Sequence, residues 1–288
     1  MKLTGLLIVN AFLNQEKYHE LYNWILESAK RHNIEIILKT NAELINLDYS
    51  INGKKPDFVL FWDKDTKLAR LLENEGLRLF NRASAIETCD NKALTYIYLQ
   101  KKVRMPKTIL APMTFSNIGY TDFSFLYKID IPFPIVIKEC FGSFGAQVYL
   151  AENFSELKKI VINIGSRPIL FQELIKESYG RDIRINIVGG EVCASMMRYS
   201  QNGDFRTNIS NGGKMEEYNP TPAEIQLAKD ASDEIGLDFC GVDILFSEDG
   251  NPILCEVNSN PHFKSIFDCT GINVADYIMK YIIKVLSI

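Results

Sequence analysis

Residues 241–258 read Gly241-Val-Asp-Ile-Leu-Phe-Ser-Glu-Asp-Gly-Asn-Pro-Ile-Leu-Cys-Glu-Val-Asn258 and contain two apolar runs separated by a turn signal. The Asp249-Gly250 pair is typical of a two-residue type I′ turn, so the segment predicts a β-hairpin. With that turn, Asp243 lies directly across the hairpin from Glu256. Because side chains alternate faces along a strand, Asn258 shares the face of Glu256.

This hairpin would bring two carboxylates and one amide oxygen together on one face. Like charges that lie directly opposite one another repel unless a cation neutralises them. Oxygen-only ligands suit Mg²⁺ or Mn²⁺, whose coordination the phosphate oxygens of a nucleotide would complete. The alternative is an exposed hairpin edge whose carboxylates point into water.

A second polar group ends an earlier apolar strand in Ile135-Val-Ile-Lys138-Glu-Cys-Phe-Gly142-Ser-Phe-Gly145. A lysine followed by a glycine-spaced loop can surround phosphates with an ammonium group and backbone N–H groups. The loop is not a Walker A motif, which would need Gly-Lys followed by Ser or Thr. Taken alone, the segment favours an ordinary strand end and turn, because such lysines and glycine spacings are common.

Two further segments offer groups for a nucleotide. The strand that ends in Phe171-Gln-Glu173 leads towards Asp182, which provides a backbone hinge and carboxylates for an adenine and a ribose. Arg198 ends the strand after the Gly189-Gly190 hairpin signal, and Arg206 follows in a glycine-rich loop. Guanidinium groups near a metal can hold phosphate oxygens. Taken singly, each segment is also compatible with a charged turn or a solvated loop.

The element pattern predicts an α/β (α+β) fold, and the length of 288 residues predicts two or three packed units. The first 95 residues alternate strands and helices, which indicates a small, mostly parallel sheet covered by helices. The two hairpin signals further along the chain indicate antiparallel strands. We therefore expect an N-terminal α/β domain at residues 1–95.

Composition excludes several classes of protein. The 288 residues are 47% hydrophobic and 24% charged, which is typical of a soluble globular protein and not of a disordered or fibrous chain. The net charge of -4, without a basic cluster, argues against nucleic acid as a partner. No apolar run approaches the roughly 20 residues of a membrane span. Six singly placed cysteines predict reduced thiols in the cytoplasm, and three unpaired histidines disfavour a zinc site.

The order of these parts resembles the ATP-grasp superfamily, and most closely the RimK-type carboxylate–amine ligases (α-L-glutamate ligase-like). The resemblance covers about residues 85–284 and implies an N-terminal pre-ATP-grasp domain at residues 1–95 followed by two α+β lobes that sandwich the nucleotide. The implied lobes are a central one with the phosphate loop at 96–173 and a C-terminal one with the metal site at 174–288. Its most specific stretches are Gly180-Arg-Asp-Ile-Arg184, Glu191-Val-Cys-Ala, Gly203-Asp-Phe-Arg-Thr-Asn208, Gly241-Val-Asp-Ile-Leu245, Glu256-Val-Asn258 and Thr270-Gly-Ile272.

The resemblance also implies roles for individual side chains, which fall into nucleotide ligands, catalytic cations and metal ligands. The implied nucleotide ligands are Lys92, Lys138, Ser143, Glu173, Leu174, Asp182, Arg206, Thr207 and Asn208, the implied catalytic cations are Arg198 and Arg206, and the implied ligands of two Mg²⁺ or Mn²⁺ ions are Asp243, Glu256 and Asn258.

The sequence departs from the family pattern at three places. Gln147 stands where relatives usually have a third glycine, and Phe141 where they often have an acidic residue. After Asn258 the family commonly continues into a small, glycine-containing turn, whereas this chain has Ser259-Asn-Pro-His-Phe-Lys264. These positions lie near the acceptor in the family, so the usual acceptor is not assumed.

The implied activity is ATP-dependent ligation of a carboxylate to an amine through an acyl phosphate. The implied partners are ATP, a carboxylate substrate and an amine acceptor, with glutamate or another amino acid added to a peptide, a protein or a small molecule. A homo-oligomer is a further implication, and Asp63 and Lys64 are expected to help form the acceptor or carboxylate pocket. The alternatives are an inactive ATP-binding sensor and a ligase that joins two free amino acids; the intact metal positions and lysines favour activity.

Overall fold

The computed structural model describes residues 2–143, 145–201, 203–207 and 213–287, which form three sheets. The N-terminal elements are β1 (Thr4–Val9), α1 (Glu16–Arg31), β2 (Glu35–Thr40), β3 (Phe58–Phe61), α2 (Thr66–Asn74), β4 (Leu79–Phe80), α3 (Ala83–Asp90) and α4 (Lys92–Leu99). Strands β1 to β4 form a parallel sheet in the order β2-β1-β3-β4, as the alternation of strands and helices predicts. Strand β3 is buried along its whole length, which explains its continuous apolar run.

The second sheet is antiparallel and belongs to the middle of the chain. Its elements are β5 (Thr108–Leu110), β6 (Ile135–Glu139), β7 (Val148–Ala151), α5 (Phe154–Ile164) and β8 (Ile169–Glu173), and a 3₁₀ helix spans Ser124–Lys128. The strand order is β5-β8-β6-β7. Ile137 and Phe171 pack with Val161 of α5 in a core that excludes water from one face of the sheet. The other face is left for the site described below.

The third sheet is also antiparallel, with the order β11-β10-β9-β12-β13. Its elements are β9 (Arg181–Val188), β10 (Glu191–Tyr199), β11 (Lys214–Glu217), α6 (Pro222–Ile235), β12 (Phe239–Leu245), β13 (Ile253–Asn258), α7 (Lys264–Thr270) and α8 (Val274–Leu286). Helix α6 starts with a capping box between Thr221 and Glu224 and ends at Gly236 in the left-handed region. Among the described residues, no helix is long and apolar enough to cross a membrane.

The hairpin of β12 and β13 differs from its predicted form in two compensating ways. Residues 246–252 form a longer connection, so the predicted two-residue turn at Asp249-Gly250 is wrong. Leu245 consequently pairs with Ile253, one residue out of the predicted register. A β-bulge between the Asp243 and Ile244 pairs then restores it, and Asp243 does pair with Glu256 as predicted.

Asn81, which directly follows β4, joins the first sheet to the third. Its amide nitrogen donates to the carbonyls of Phe239 and Ser259, both at 2.9 Å, and its amide oxygen accepts from the Asp238 N–H at 2.7 Å. Beside it, the ring of Trp62 stacks on Phe239 with centroids 5.2 Å apart. These contacts bring the carboxyl ends of the parallel strands against the end of β13.

Candidate active site

A cleft of about 700 Å³ is lined by residues from all three sheets. It receives Asp63 from the end of β3, Lys138 from β6 and Asp243 from β12. Asn208 lies outside the described residues. The remaining predicted site residues all line this cleft: Lys92, Lys138, Ser143, Glu173, Leu174, Asp182, Arg198, Arg206, Thr207, Asp243, Glu256 and Asn258.

Alternating charges run across the floor of the cleft on β9, β10 and β12. Arg198 forms two hydrogen bonds of 2.7 Å to the Asp182 carboxylate and lies 3.0 Å from Asp243. Arg184 closes the row with a bidentate contact to Asp243, and Thr207 donates its hydroxyl to Asp182 at 2.7 Å. Burial raises the pKa of Asp243, but the two guanidinium groups outweigh burial and hold the pKa below its ordinary value. Asp243 is therefore an ionised carboxylate.

The three predicted metal ligands present oxygen atoms of unequal availability. Asp243 is 6% exposed and already contacts two guanidinium groups. The Glu256 carboxylate is more open, and its nearest cation is Lys92, whose Nζ lies 3.7 Å away. No group of three His, Cys, Asp or Glu side chains in the described chain could hold a metal ion. Two carboxylates and the Asn258 amide suit a hard cation such as Mg²⁺, provided that phosphate oxygens and water complete its shell.

Lys138 places a buried ammonium group in the cleft. Lys138 is 8% exposed, and its Nζ contacts the Sγ of Cys255 at 3.8 Å. No carboxylate lies within ion-pair distance of it among the described residues. A buried charge without a counterion is costly, so an anionic ligand would stabilise this ammonium group. Cys255 reaches the cleft because it is the extra residue of the β-bulge.

The glycine loop after β6 is held over the cleft by three cations. Lys92 donates to the Gly142 carbonyl at 3.1 Å, and Arg206 donates to the Gly145 carbonyl at 3.2 Å. Lys64, from the first sheet, donates to the Ser143 hydroxyl at 3.1 Å and to Asp90. The loop thus lies beside the ammonium groups that the sequence assigns to phosphate binding.

The end of β8 forms the opposite wall. The Glu173 carboxylate accepts from the Lys107 N–H at 2.6 Å, and the Gln172 side chain donates to the Thr108 hydroxyl at 2.9 Å. The Glu173 carboxylate therefore helps to hold β8 against β5, which leaves fewer of its hydrogen-bond acceptors for a nucleotide. Leu174 follows in the connector and lines the cleft.

Sequence reasoning assigned no role to three residues that the structure brings into the cleft: Arg184, Cys255 and Asn260. Arg184 could have been found, because strand alternation puts it on the same face as Asp182. Cys255 could not, because its orientation depends on a bulge that no local signal predicts. Asn260 lies in the departing turn after Asn258, whose path depends on contacts with the first sheet.

Comparison with known proteins gives a consistent result. Residues 89–282 match the model of the RimK-like ATP-grasp domain. Human N-acetylaspartylglutamate synthase A is 37% identical over 227 residues, which are 78% of this chain and 57% of the human protein. Probable alpha-L-glutamate ligase 2 of Pseudoalteromonas atlantica is 34% identical over 229 residues, covering 76% of this chain and 71% of that protein. The chain thus spans little more than half the length of the human relative.

Two solved structures share the fold over almost the whole chain. D-alanine–D-alanine ligase from Bacillus anthracis superposes with a TM-score of 0.75 at 16% identity and covers 99% of both chains. A RimK domain ATP-grasp protein from Sphaerobacter thermophilus superposes with a TM-score of 0.71 at 20% identity, over 97% of this chain and 98% of that chain. The likeness includes the N-terminal sheet, which precedes the matched family domain.

Proposed function

The chain belongs to the RimK-like ATP-grasp family, and from that premise we propose that it is an ATP-dependent carboxylate–amine ligase. The family and the ATP-grasp fold predicted from the motifs are confirmed. The proposed reaction forms an amide or peptide bond through an acyl phosphate. The predicted division into domains at residues 1–95, 96–173 and 174–288 stays a proposal, supported by one sheet in each range.

The observation that carries this proposal is the charge arrangement of the cleft. Lys138 is buried without a carboxylate partner among the described residues, while Glu256 faces the same cleft from β13. A triphosphate with bound Mg²⁺ would neutralise both, because its oxygens meet the ammonium group and its cation meets the carboxylate. The arrangement supports a nucleotide-phosphate site better than it supports a site for an uncharged ligand.

The proposed roles of the side chains follow from where they lie. We assign Glu173 and Leu174 to the adenine end, and Lys138, Lys92 and Ser143 to the phosphates. The proposed metal ligands are Asp243, Glu256 and Asn258, and two ions are expected. When bound, the metal would neutralise phosphate charge and polarise the γ-phosphoryl group. Arg198 and Arg206 offset the remaining negative charge, with Asp182, Thr207 and Asn208 alongside the nucleotide.

In the proposed reaction, a substrate carboxylate oxygen attacks the γ-phosphorus of ATP, and the bond to the bridging oxygen breaks to release ADP. The nitrogen of an amine then attacks the acyl carbon. Phosphate leaves with the electron pair of the broken C–O bond, and the nitrogen loses its proton. Such phosphoryl transfer requires positioning and charge neutralisation and no protein nucleophile. The loop of Gly142 and Ser143 would keep water from the acyl phosphate.

The substrates are proposed from the names of relatives. Those relatives include an N-acetylaspartylglutamate synthase, beta-citrylglutamate synthases and a probable alpha-L-glutamate ligase. Glutamate or another amino acid is therefore the proposed substrate, with a peptide, a protein or a small molecule as its partner. The cytoplasmic location and the homo-oligomer remain predictions. An inactive ATP sensor and a ligase of two free amino acids remain the alternatives.

The test is release of ADP from ATP and Mg²⁺ in the presence of pooled amino acids, short peptides and small carboxylic acids. Mass spectrometry of the mixture identifies any product whose mass equals two components minus water. ADP together with such a mass supports the ligase and names its substrates. ATP binding without ADP release across the pool would contradict a small-molecule ligase and favour the sensor.

A further inference from the structure

One end of the cleft carries hydrogen-bond acceptors that the reaction scheme has not used. It is lined by Asn10 and Asp63, which follow β1 and β3, and by Asn260 and His262 in the turn after β13. The carboxyl ends of parallel strands are the usual place for ligands in open α/β sheets. Asn10 and Asp63 precede the matched family domain, and Asn260 and His262 lie in the turn that departs from the family pattern.

Asp63 is a buried carboxylate that forms no ion pair with any residue described in the structure. It is 6% exposed and accepts hydrogen bonds from the Asn10 amide at 3.1 Å and from the Lys64 N–H at 2.7 Å. The Lys64 ammonium group points elsewhere, to Asp90 and Ser143. No Lys, Arg or His within the described ranges forms an ion pair with Asp63. A cationic group of a ligand would therefore stabilise this buried carboxylate, which lines the cleft.

Asn260 supplies a second acceptor. Its amide nitrogen donates to the Asp63 carbonyl at 2.9 Å, which turns its Oδ1 away from that bond. This Oδ1 is buried and has no hydrogen-bond partner within the described structure. A buried acceptor left unsatisfied costs free energy, and a ligand donor would recover it.

His262 offers a third hydrogen-bond acceptor at this end of the cleft. Its Nε2 lies 3.1 Å from the Lys17 carbonyl, and a carbonyl can only accept, so Nε2 carries the proton. Burial lowers the pKa of His262, so the ring is neutral near pH 7 and its Nδ1 is an acceptor. Asp63, Asn260 and His262 thus all offer acceptors at this end.

We propose that Asp63 and Asn260 form the subsite for the amine substrate, which enters as a primary ammonium group. A substrate carboxylate would need hydrogen-bond donors. An ammonium group, in contrast, has three donors and a positive charge that would neutralise the Asp63 carboxylate. This inference rests on the proposed ligase function and assigns one of its two substrates to this end of the cleft. The subsite is close to the phosphates: Lys64 joins it to Ser143 of the loop, and Asn260 follows the metal ligand Asn258 by two residues.

The chemistry balances in this arrangement. The ammonium group gives one proton to a base before its nitrogen can attack the acyl carbon, and the nitrogen loses a second proton as phosphate departs. The Asp63 carboxylate and the His262 ring are the bases that line this end. Asp63 is therefore placed to bind the charged form of the amine and to receive its proton.

Binding of amine and carboxylate probes tests the assignment separately from ligation. The full chain, with ADP and Mg²⁺, is screened by ligand-observed NMR against a mixture of L-amino acid amides, which carry an ammonium group and no carboxylate. A second mixture contains N-acetyl-L-amino acids, which carry a carboxylate and no ammonium group. At least one amide is expected to bind, and its Kd should rise at least tenfold in Asp63→Asn and in Asn260→Ala. The same two variants should change the Kd of any bound N-acetyl acid less than twofold.

Asp48→Asn is the matched control, since it removes an exposed carboxylate of the same N-terminal unit outside the cleft. Thermal melting checks that each variant is folded, and two different variants guard against loss of folding in one of them. Failure of every amide to bind, or a selective loss of N-acetyl acids in Asp63→Asn, would overturn the proposal. Trapping of the acyl phosphate with hydroxylamine distinguishes the two levels: absence of any hydroxamate counts against the ligase function and leaves the ammonium-binding result unaffected.

Discussion

At the scale of single residues, the cleft is dominated by charges whose partners are unevenly distributed. Asp243 is held by two guanidinium groups, whereas Lys138 is buried and its ammonium group contacts the thiol of Cys255. A paired and an unpaired charge respond differently to neutralisation. Removing the Lys138 charge should therefore mainly weaken ligand binding, whereas removing the Asp243 charge should also lower the stability of the fold.

Replacing Lys138 by methionine removes a buried charge and keeps most of the side-chain volume. We expect the Kd for ATP to rise at least tenfold, which corresponds to about 1.4 kcal/mol. The melting temperature of the ligand-free protein should stay the same or rise, because the substitution removes an uncompensated charge. Calorimetric titration and thermal melting measure both. Lys101→Met, at an exposed position, is the control, and an unchanged ATP affinity in Lys138→Met would contradict the phosphate assignment.

Substitutions of the two carboxylates of the predicted metal site should have different effects on stability and similar effects on activity. Glu256→Gln is expected to reduce turnover at least a hundredfold with a small change in melting temperature, because its nearest cation lies 3.7 Å away. Asp243→Asn should reduce turnover similarly and also destabilise the fold by about 3 kcal/mol, because Arg184 and Arg198 lose their shared buried counterion. Steady-state rates over a Mg²⁺ titration, together with urea unfolding, measure these effects. Equal stability of the two variants would show that the guanidinium groups do not depend on Asp243.

At the scale of elements, the loop between β6 and β7 depends on the backbone of Gly142. Its φ of +132° lies in a region that favours glycine, and an added Cβ would lie 2.2 Å from Oε1 of Gln147. The flexible Gln147 side chain can move away, but a φ of +132° stays strained for alanine, so we expect the loop path and the Lys92 contact with the Gly142 carbonyl to change.

We therefore expect Gly142→Ala to lower kcat at least tenfold, because the loop can no longer cover the phosphates. The fold should lose only about 1 kcal/mol of stability, the ordinary cost of an alanine at positive φ. Gly119→Ala is the matched control: its φ is +69°, an added Cβ meets nothing within 4 Å, and it lies outside the cleft. Similar losses of kcat in both variants would indicate a general effect of strain and remove the role of the loop.

The hairpin of β12 and β13 illustrates what element patterns can and cannot predict. The pairing of Asp243 with Glu256 was predictable, since both strands alternate and both faces are constrained. The turn and the bulge were not, because Asp249-Gly250 is equally compatible with longer connections. The longer turn shifts the strand register by one residue and the bulge shifts it back, so Asp243 pairs with Glu256 as predicted. Cys255, the extra residue of the bulge, lines the cleft, which was not predicted.

At the scale of the molecule, Asn81 is the joint between the first and third sheets. It is fully buried, and its amide forms hydrogen bonds with four backbone groups of the third unit. The Arg78 side chain strengthens the same joint by contacting Asp238 at 2.6 Å. Because the cleft lies between these units, its width depends on this joint.

Asn81→Ala should destabilise the fold by about 4 kcal/mol, roughly 1 kcal/mol for each of the four lost hydrogen bonds. For a chain of this size that corresponds to a fall of about 8–16 °C in melting temperature. Scanning calorimetry measures the shift, and Asn74→Ala, at an exposed position of α2, is the control. A shift below 2 °C in Asn81→Ala would show that the joint contributes little to stability.

The amino-acid sequence by itself indicated the α/β class, the parallel N-terminal sheet, the later antiparallel hairpins and the candidate site residues, because strand alternation and local motifs depend on neighbouring residues. It also determined that the Lys138 strand precedes the Asp243–Glu256 hairpin, which is the order of the family. The tertiary structure alone decided which charges are paired. Within the part of the chain that the structure describes, three features depend on contacts between segments far apart in sequence. They are the pairing of Arg184 with Asp243, the lack of an ion pair at Lys138 and Asp63, and the unsatisfied oxygen of Asn260. Burial sets the cost of such charges and acceptors, and burial is a property of the assembled fold.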